Sequence, residues 1–204
     1  MIIAIEGIDG AGKNTIVRQI KNELAVDVSV VGFPRYETSL HAQLAQEALY
    51  GRMGDLTNSI YGMATLFALD RHGVKEQLVA ASESTELFIL DRYVASNAAY
   101  SAARLGDDSI MDWVFDLEFG RLGLPKPELQ IYLATPVDIA AERARHRAGE
   151  DETRERDEYE KNANLQAATA AAYHRLAQAN WAGQWLVDDD ASRIVKTVKT
   201  LVGE

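Results

Sequence analysis

The chain has 204 residues, enough to bury one sizeable core and too few for two ordinary domains, so we expect a single domain over residues 1–204. With 21 Lys and Arg against 31 Asp and Glu, its formal net charge of −10 argues against a general nucleic-acid-binding surface. The absence of Cys excludes disulfides and thiolate metal sites. The apolar start MIIAI stops at Glu6 without a basic leader, and no later run is long enough to span a bilayer. We therefore expect a cytoplasmic protein, away from membranes, whose anionic ligands are met by local clusters of Arg and Lys.

Five short apolar runs predict parallel strands: MIIAIE, VSVVGF, LFILD, LQIYLAT and WLVD. Helical stretches separate them, an alternation typical of an α/β fold with both faces of the sheet covered. One long helix is predicted at NSIYGMATLFALDRHGVKEQL, because its apolar residues recur at helical spacing. That stripe consists of Ile60, Met63, Ala64, Phe67, Val74 and Leu78. In such folds ligands bind beyond the carboxyl ends of the strands, where we expect the site.

The segment GIDGAGKNT, residues 7–15, has the composition of a phosphate-binding loop between a strand and a helix. Its glycines let backbone amides approach phosphate oxygens, and the following helix N-terminus favours an anion. Lys13 is placed to reach the terminal phosphates of a nucleotide. The alternative is a glycine-rich turn that only joins strand to helix. The nucleotide-binding candidates are Gly7, Asp9, Gly10, Ala11, Gly12, Lys13, Asn14 and Thr15.

Asn14 stands where this type of loop usually carries the Ser or Thr that helps to hold Mg²⁺. Carboxylates suit a hard cation better than an amide, so we expect Asp9, inside the loop, to face the metal or the acceptor. An Asp9 turned outward to stabilise the loop is the alternative. Asp91, at the end of LFILD, has the position of a Walker-B acid that holds Mg²⁺ through water. It could instead cap the next helix.

Two arginines follow neighbouring strands, Arg35 in FPRYE and Arg92 in DRY. Planar guanidinium groups bind phosphate well, so the pair indicates an anionic ligand, with an internal Asp or Glu as the alternative partner. Arg71 lies on the apolar stripe one turn after Phe67. Together they could form a slot for a nucleobase, with the ring stacking and the guanidinium donating to a carbonyl.

The helix VASNAAYSAARL carries polar residues on one face, at positions i, i+3, i+4 and i+7. An amide beside an aromatic hydroxyl can read a base edge and close a site around a sugar, whereas a partly solvated polar face is the alternative. These residues are Asn97, Tyr100, Ser101 and Arg104.

The segment ERARHRAGEDETRERDEYEK is densely charged. Most of it reads as an exposed helix with ion pairs four residues apart. Arg143 and Arg147, however, share a helix face just before AGEDET. A two-helix lid closing over ATP would need such cations to stabilise the phosphoryl group in transit.

The motifs EGIDGAGKNT, FPRY, MATLFALDR, ILDRYVASNAAYSAARL and FGRLGLPKPELQIYL, with the charged segment, closely resemble thymidylate kinases, above all those of mycobacteria and related actinobacteria. The resemblance covers essentially the whole chain. It implies the P-loop nucleoside monophosphate kinase fold, a five-stranded parallel sheet flanked by helices with a helical lid at about 143–160. It also implies transfer of the γ-phosphoryl group of MgATP to dTMP, giving dTDP, and a homodimer.

The resemblance assigns a role to each matching residue. Arg92 would hold the dTMP phosphate, in a region lined by Pro34, Arg35 and Tyr36. Phe67 would stack on thymine, Arg71 and Asn97 would read its edge, and Tyr100 would disfavour ribonucleotides. The implied catalytic residues are Asp9, Lys13, Arg92 and Arg147.

Further implied roles lie in and near the lid. Arg143 would pack near adenine, Asp157 and Tyr159 would close over the sugar, and Glu160 would join Asp9 and Asp91 near Mg²⁺. Close mycobacterial relatives carry Arg at the place of Asn14, so Arg147 would bear more of the transition-state charge here.

Two other functions fit parts of the pattern. A deoxynucleoside kinase has a similar loop and lid but no acceptor phosphate to bind, so the pair Arg35 and Arg92 counts against it. A P-loop switch NTPase would need an N-K-x-D motif and a D-x-x-G after a strand, and neither is in the expected place. The segment SIMDWVFDLEFGRL has more apolar surface than one core face needs, which suits a helix buried on two sides or a dimer contact.

Overall fold

The computed structural model describes residues 1–150, 159 and 162–204, without the side chains of residues 147–150. Five strands form one parallel sheet in the order β2-β3-β1-β4-β5, which confirms the predicted fold class. The predicted strands are confirmed within two residues at each end. They are β1 Ile2–Glu6, β2 Val28–Gly32, β3 Leu87–Asp91, β4 Leu129–Leu133 and β5 Gln184–Asp188.

Helices connect these strands. A 3₁₀ helix at Leu56–Asn58 precedes α3, and a π-helical turn at Asp116–Arg121 follows α6. Within the described residues no helix is both long and apolar enough to cross a membrane. The helices are α1 Lys13–Glu23, α2 Leu40–Leu49, α3 Ile60–His72, α4 Lys75–Glu83, α5 Val94–Leu105, α6 Ser109–Phe115, α7 Val137–Glu150, α8 Ala163–Gln178 and α9 Ala191–Val202.

The core is built on the central strand β1, where Ile2, Ile3, Ala4 and Ile5 are fully buried. Because successive strand residues point to opposite faces, this burial means that helices cover both faces of the sheet. Helix α1 packs against α9, and α5 packs against α6 and α8. The helices leave the carboxyl ends of the strands uncovered, and a cleft opens there.

The single long helix predicted after residue 58 is wrong, because the structure has two helices there, α3 and α4. In a continuous helix the carbonyl of Asp70 would accept from the amide of Val74. Instead it accepts from Nη2 of Arg35 at 2.5 Å, and the Val74 amide donates to Arg71. The helix ends there, and Gly73, a weak helix former, sits against the same guanidinium.

The apolar residues of helix α6 and the π-helical turn are buried or half-buried within the chain. Ile110 and Val114 are fully buried. The rings of Phe115, Phe119 and Trp181 lie with their centroids between 5.2 and 5.9 Å apart. Of the two predictions for this segment, the one in which it is buried on two sides therefore accounts for much of its apolar surface.

Candidate active site

A cleft of about 910 Å³ opens at the carboxyl ends of the strands. It brings together the phosphate-loop residues and the residues predicted to bind an acceptor nucleotide, which come from six separate stretches of sequence. On the loop side it is lined by Asp9, Gly10, Gly12, Lys13, Asn14, Thr15 and Arg143. On the acceptor side it is lined by Pro34, Tyr36, Phe67, Arg71, Asp91, Arg92, Asn97, Tyr100, Ser101, Arg104 and Tyr159.

The loop between β1 and α1 has the shape needed to hold phosphates. Gly12 has φ +98° and directly precedes α1, so the helix N-terminus opens into the cleft. Nζ of Lys13 donates to the carbonyl oxygens of Gly7 and Ile8 at 3.1 and 3.0 Å. Burial and the charge of Arg92 lower the pKa of Lys13 to about 8, against the opposing pull of nearby carboxylates. A phosphate group bound beside Lys13 would stabilise its charged form and raise this pKa.

Helix α7 and the segment after β4 hold the loop from the other side. Gly10 has φ +84°, and a Cβ at this position would collide with the backbone carbonyl of Ala140. The hydroxyl of Thr135 donates to the carbonyl of Ala11 at 2.9 Å. Arg143 of α7 lies against Gly12, with Nη1 3.7 Å from the place of a Cβ there. Arg143, which the resemblance places near adenine, therefore lies beside the phosphate loop.

Asp9 and Arg92 form an ion pair inside the cleft, with Oδ1 and Nη2 2.5 Å apart. The hydroxyl of Tyr100 donates to the other oxygen of Asp9 at 2.8 Å. Burial alone would raise the pKa of Asp9, but the charges of Arg92 and Lys13 and the hydrogen bonds from Tyr100 and Arg92 outweigh it and lower the pKa. Asp9 is thus held ionised and turned into the cleft, and the alternative of an outward-facing Asp9 does not describe the structure.

A buried acid supports Arg92 from behind. Glu6 is fully buried and accepts from the hydroxyls of Ser96 at 2.6 Å and Tyr173 at 3.1 Å. Nη1 of Arg92 in turn donates to Gly7 O at 2.9 Å and to Ser96 Oγ at 3.3 Å. Burial raises the pKa of Glu6 in spite of these partners. Arg92 also has φ +67°, an uncommon backbone geometry for a residue with a side chain.

Arg35 is held away from the cleft by Asp70. Its Nε donates to Oδ1 of Asp70 at 3.0 Å, and its backbone amide donates to Oδ2 at 3.0 Å. Asp70 is fully buried. The predicted alternative, an internal acid as partner, therefore holds for Arg35. Its guanidinium is bound to Asp70 and does not join that of Arg92 as a second phosphate ligand.

Arg71 and Asn97 share a buried partner, Glu118 of the π-helical turn. Nε and Nη2 of Arg71 donate to the two carboxylate oxygens of Glu118 at 2.5 and 2.7 Å. Nδ2 of Asn97 donates to Oε1 of the same carboxylate at 2.8 Å. Both Arg71 and Asn97 nevertheless line the cleft, beside Phe67.

Asp91 lines the cleft at the end of β3. Its Oδ1 is buried and has no hydrogen-bond partner within the described part of the chain. A buried carboxylate oxygen without a partner is costly, so a water molecule or a cation is the expected partner of Asp91. Within residues 1–150, 159 and 162–204, no group of three or more His, Cys, Asp or Glu is clustered as a ready-made metal site.

Tyr159 reaches the cleft from the predicted lid. Its ring stacks on that of Tyr100 with centroids 6.0 Å apart, and its hydroxyl accepts from Arg104. Gln166 of α8 donates to the carbonyl of Tyr159 at 3.0 Å and to Oδ2 of Asp9 at 3.4 Å. The remaining lid predictions lie outside the described residues: the side chain of Arg147, Asp157 and Glu160.

Comparison with known proteins agrees with this geometry. The family model described as thymidylate kinase matches residues 5–201. The chain belongs to the thymidylate kinase family. It is 48% identical to thymidylate kinase of Mycobacterium tuberculosis, with 97% of each chain covered. It is also 32% identical to a probable thymidylate kinase of Archaeoglobus fulgidus, over 72% of this chain and 70% of the relative.

A solved structure has the same fold. Thymidylate kinase of Candida albicans superposes with a TM-score of 0.74 at 19% sequence identity, covering 99% of this chain and 90% of the other. At that identity the likeness concerns the fold alone.

For this member of the thymidylate kinase family, the predicted shared face of α5 is confirmed, since Asn97, Tyr100, Ser101 and Arg104 all line the cleft. Sequence reasoning missed the acids behind the site: Glu6, Asp70 and Glu118, all fully buried. A signal was available for two of them, because Glu6 ends an otherwise apolar strand and Glu118 interrupts the apolar run FDLEFG.

Proposed function

We propose that this protein transfers the γ-phosphoryl group of ATP to dTMP, giving dTDP and ADP. Membership of the thymidylate kinase family assigns the reaction class. The structural observation that carries the proposal is the single cleft that holds a phosphate loop at one end and Phe67, Arg71, Arg92 and Asn97 at the other. Two nucleotides bound there would meet phosphate to phosphate, as direct transfer requires.

On the donor side, the loop amides and Lys13 hold the ATP phosphates. Lys13 gives up its contacts with the carbonyls of Gly7 and Ile8 and regains full positive charge beside the polyanion. Thr15, at the start of α1, adds a hydroxyl donor in place of the one that Asn14 lacks. Arg143 lies against Gly12, where it can pack on the adenine base. Phosphoryl transfer needs positioning and charge from the protein rather than a covalent step, and this arrangement supplies both.

On the acceptor side, Arg92 binds the dTMP phosphate. Its Nη1 is already held by Gly7 O and Ser96, so the guanidinium enters the complex pre-oriented. Phe67 stacks on thymine, and Arg71 and Asn97 read its edge from their places in the cleft wall. Tyr100, fixed by Asp9, crowds the 2′ position of the sugar. Pro34 and Tyr36 line the adjoining wall, with Arg35 bound to Asp70 behind it.

The residues present fit a Mg²⁺ ion. Asp91 has a buried oxygen that lacks a partner within the described chain, and Asp9 is held ionised in the same cleft. These two carboxylates, with Glu160 from the lid, would hold the ion directly or through water. When bound, Mg²⁺ neutralises charge on the ATP phosphates. Asp9 also pairs with Arg92 and accepts a hydrogen bond from Tyr100.

The lid, at about 143–160, completes the site by closing over the bound nucleotides. Arg147 neutralises charge on the phosphoryl group in transit, a role that falls to it because Asn14 offers no cation. Asp157 and Tyr159 close over the acceptor sugar, and the stacking of Tyr159 on Tyr100 supports that position.

The test is ADP release, measured with ATP and Mg²⁺ across a panel of nucleoside monophosphates and thymidine. We expect dTMP to be the best acceptor. Preference for thymidine would instead identify a deoxynucleoside kinase, and slow hydrolysis independent of any acceptor would identify a switch NTPase. No turnover of dTMP would overturn the proposal.

We also propose that the protein is a cytoplasmic homodimer. Tyr61 of α3 is 45% exposed and meets Trp113 of α6 edge-on at 4.8 Å, so an apolar patch remains on that side after the core is formed. Sedimentation velocity at micromolar concentration tests the dimer, and Tyr61→Glu should shift the mass toward the monomer. A wild-type monomer at these concentrations would exclude it.

A further inference from the structure

Glu118 lies directly behind the two residues proposed to read the acceptor base. It is fully buried, and its neighbours Arg71 and Asn97 are only 3% and 5% exposed. Three N–H donors converge on its two oxygens: Nε and Nη2 of Arg71 at 2.5 and 2.7 Å, and Nδ2 of Asn97 at 2.8 Å. Glu118 itself does not belong to the cleft wall formed by the described residues, so it acts through its two partners.

This arrangement determines which atoms Asn97 presents to a ligand. One N–H of its amide is taken by Glu118 and the other by the carbonyl of Ala64 at 2.9 Å. A carboxylate and a carbonyl can only accept, so the amide nitrogen must face both of them. Oδ1 accepts a long hydrogen bond from Ser101 Oγ at 3.5 Å and keeps a lone pair for a ligand, so Asn97 can offer a base only an acceptor.

Arg71 is constrained in the complementary sense. Its contacts with Glu118 use Nε and Nη2. Nη1 has no hydrogen-bond partner among the described residues, and every N–H of a guanidinium is a donor. The pair thus presents one donor and one acceptor side by side. Thymine and uracil complement this pair, because their 4-carbonyl accepts from Arg71 and their N3–H donates to Asn97. Cytosine would place its amino donor against the donor of Arg71 and its unprotonated N3, an acceptor, against Oδ1 of Asn97.

The backbone around Glu118 supports a dedicated role. Glu118 lies in a π-helical turn, Asp116–Arg121, immediately after α6. Such turns are rare and occur frequently at functional sites. Here the turn directs a carboxylate into the space between α3 and α5, where Arg71 and Asn97 need a common acceptor.

We propose that Glu118 is a positioning residue that sets the acceptor-base specificity, by holding Arg71 as a donor and Asn97 as an acceptor toward the pyrimidine edge. The inference rests on the proposed function, since it assumes that the base lies against Arg71 and Asn97. What it adds is that Glu118, behind the two residues that touch the base, determines the preference for 4-oxo over 4-amino pyrimidines.

Glu118→Gln tests the proposal. Gln keeps the size but offers a single acceptor oxygen to three donors, so its own N–H₂ must oppose either Arg71 or Asn97. We expect the Ki of dCMP divided by the KM of dTMP to fall at least about tenfold, the scale of one lost buried hydrogen bond. The same ratio for dUMP against dTMP should stay unchanged, since this network does not read the 5-methyl group. A purely structural role would lower activity without changing the first ratio.

Asp116→Asn is the matched control. It removes a carboxylate from the same turn, where Asp116 makes an exposed pair with Arg121, and should leave both ratios at the wild-type value. An unchanged dCMP ratio in folded Glu118→Gln, with wild-type protein active on dTMP, overturns the inference alone. Wild-type protein that does not phosphorylate dTMP overturns the proposed function first.

Should Glu118→Gln fail to fold, Glu118→Asp and a complex of the wild-type protein with dTMP decide the matter. Glu118→Asp keeps the charge but draws it away from its partners, and we expect an intermediate fall in the dCMP ratio. In the complex, Arg71 and Asn97 must contact the base while both remain bound to Glu118. Separation of Glu118 from either residue in that complex would overturn the inference.

Discussion

Nη2 of Arg92 lies 2.5 Å from Oδ1 of Asp9, so the guanidinium proposed to bind the acceptor phosphate is paired with an acid of the phosphate loop before any ligand arrives. Asp9 lies in the loop after β1, and Arg92 directly follows β3, its neighbour in the sheet. When dTMP binds, Arg92 must therefore interact with two anions at once, the dTMP phosphate and Asp9. Such sharing is favourable only if Asp9 gains another cation or donor, as Mg²⁺ or the closed lid would provide.

We expect Asp9→Asn to lower kcat by about 10–100-fold and to raise the Mg²⁺ concentration needed for half-maximal rate. The KM of dTMP should not rise, because Arg92 loses a competing carboxylate while its contacts with Gly7 and Ser96 remain. Steady-state kinetics with varied Mg²⁺ measures both effects. If kcat and the Mg²⁺ requirement match the wild type, Asp9 serves Arg92 alone and is no part of the metal site.

The rate should depend on pH through Lys13. Burial and the charge of Arg92 lower its pKa to about 8 in the free protein, from an ordinary value near 10.5. Below that pH Lys13 is protonated and can bind phosphate, and above it the charge is lost. We therefore expect kcat/KM for ATP to fall as the pH rises through about 8. The descending limb of kcat should lie at higher pH, because bound phosphates restore the ammonium form.

Lys13→Arg provides the comparison for this pH profile. Arg stays charged across the whole range, so the descending limb near pH 8 should disappear even if the rate is lower. A limb at the same pH in Lys13→Arg would assign it to another group.

Replacement of Arg147 by Ala should lower kcat by about 10³-fold or more, with little change in folding stability. The reason is that the phosphate loop, residues 7–15, contains no arginine that could take over this role. Arg145→Ala is the control, since Arg145 is exposed on the same helix and, among the described residues, donates to the Ala141 carbonyl of that helix. Asn14→Arg in the Arg147→Ala background should recover part of the rate. Full activity in Arg147→Ala would assign the lid arginines to surface ion pairing.

Gly10→Ala should destabilise the protein much more than Gly51→Ala. Both glycines have positive φ, so each substitution costs about 1 kcal/mol in backbone strain. A Cβ at Gly51 meets nothing within 4 Å, whereas at Gly10 it meets the carbonyl of Ala140. We expect a loss of about 3 kcal/mol or more at Gly10, from displacement of α7. Urea denaturation of the two variants measures the difference, and equal losses would show that the contact with α7 relaxes freely.

Local sequence patterns were enough to predict the strands, the phosphate loop and the residues of the acceptor wall. Apolar runs predict buried strands, and the spacing of Gly7, Gly10, Gly12 and Lys13 predicts the loop. Helical periodicity placed Asn97, Tyr100, Ser101 and Arg104 on one face, as the cleft confirms.

The pairing of the charged residues could not be predicted from the sequence, because it depends on how the elements pack. Arg35 and Arg92 both follow a strand, so the sequence does not distinguish their roles. In the structure Arg35 is bound to Asp70, whereas Arg92 is bound to Asp9, which lies 83 residues earlier in the chain. Glu118 reaches Arg71 across 47 residues. Partners so distant along the chain leave no periodic signal, because ion pairing depends on separation in space after the helices have packed. The same pairing ended the predicted long helix, since Arg35 takes the carbonyl that the next turn would need.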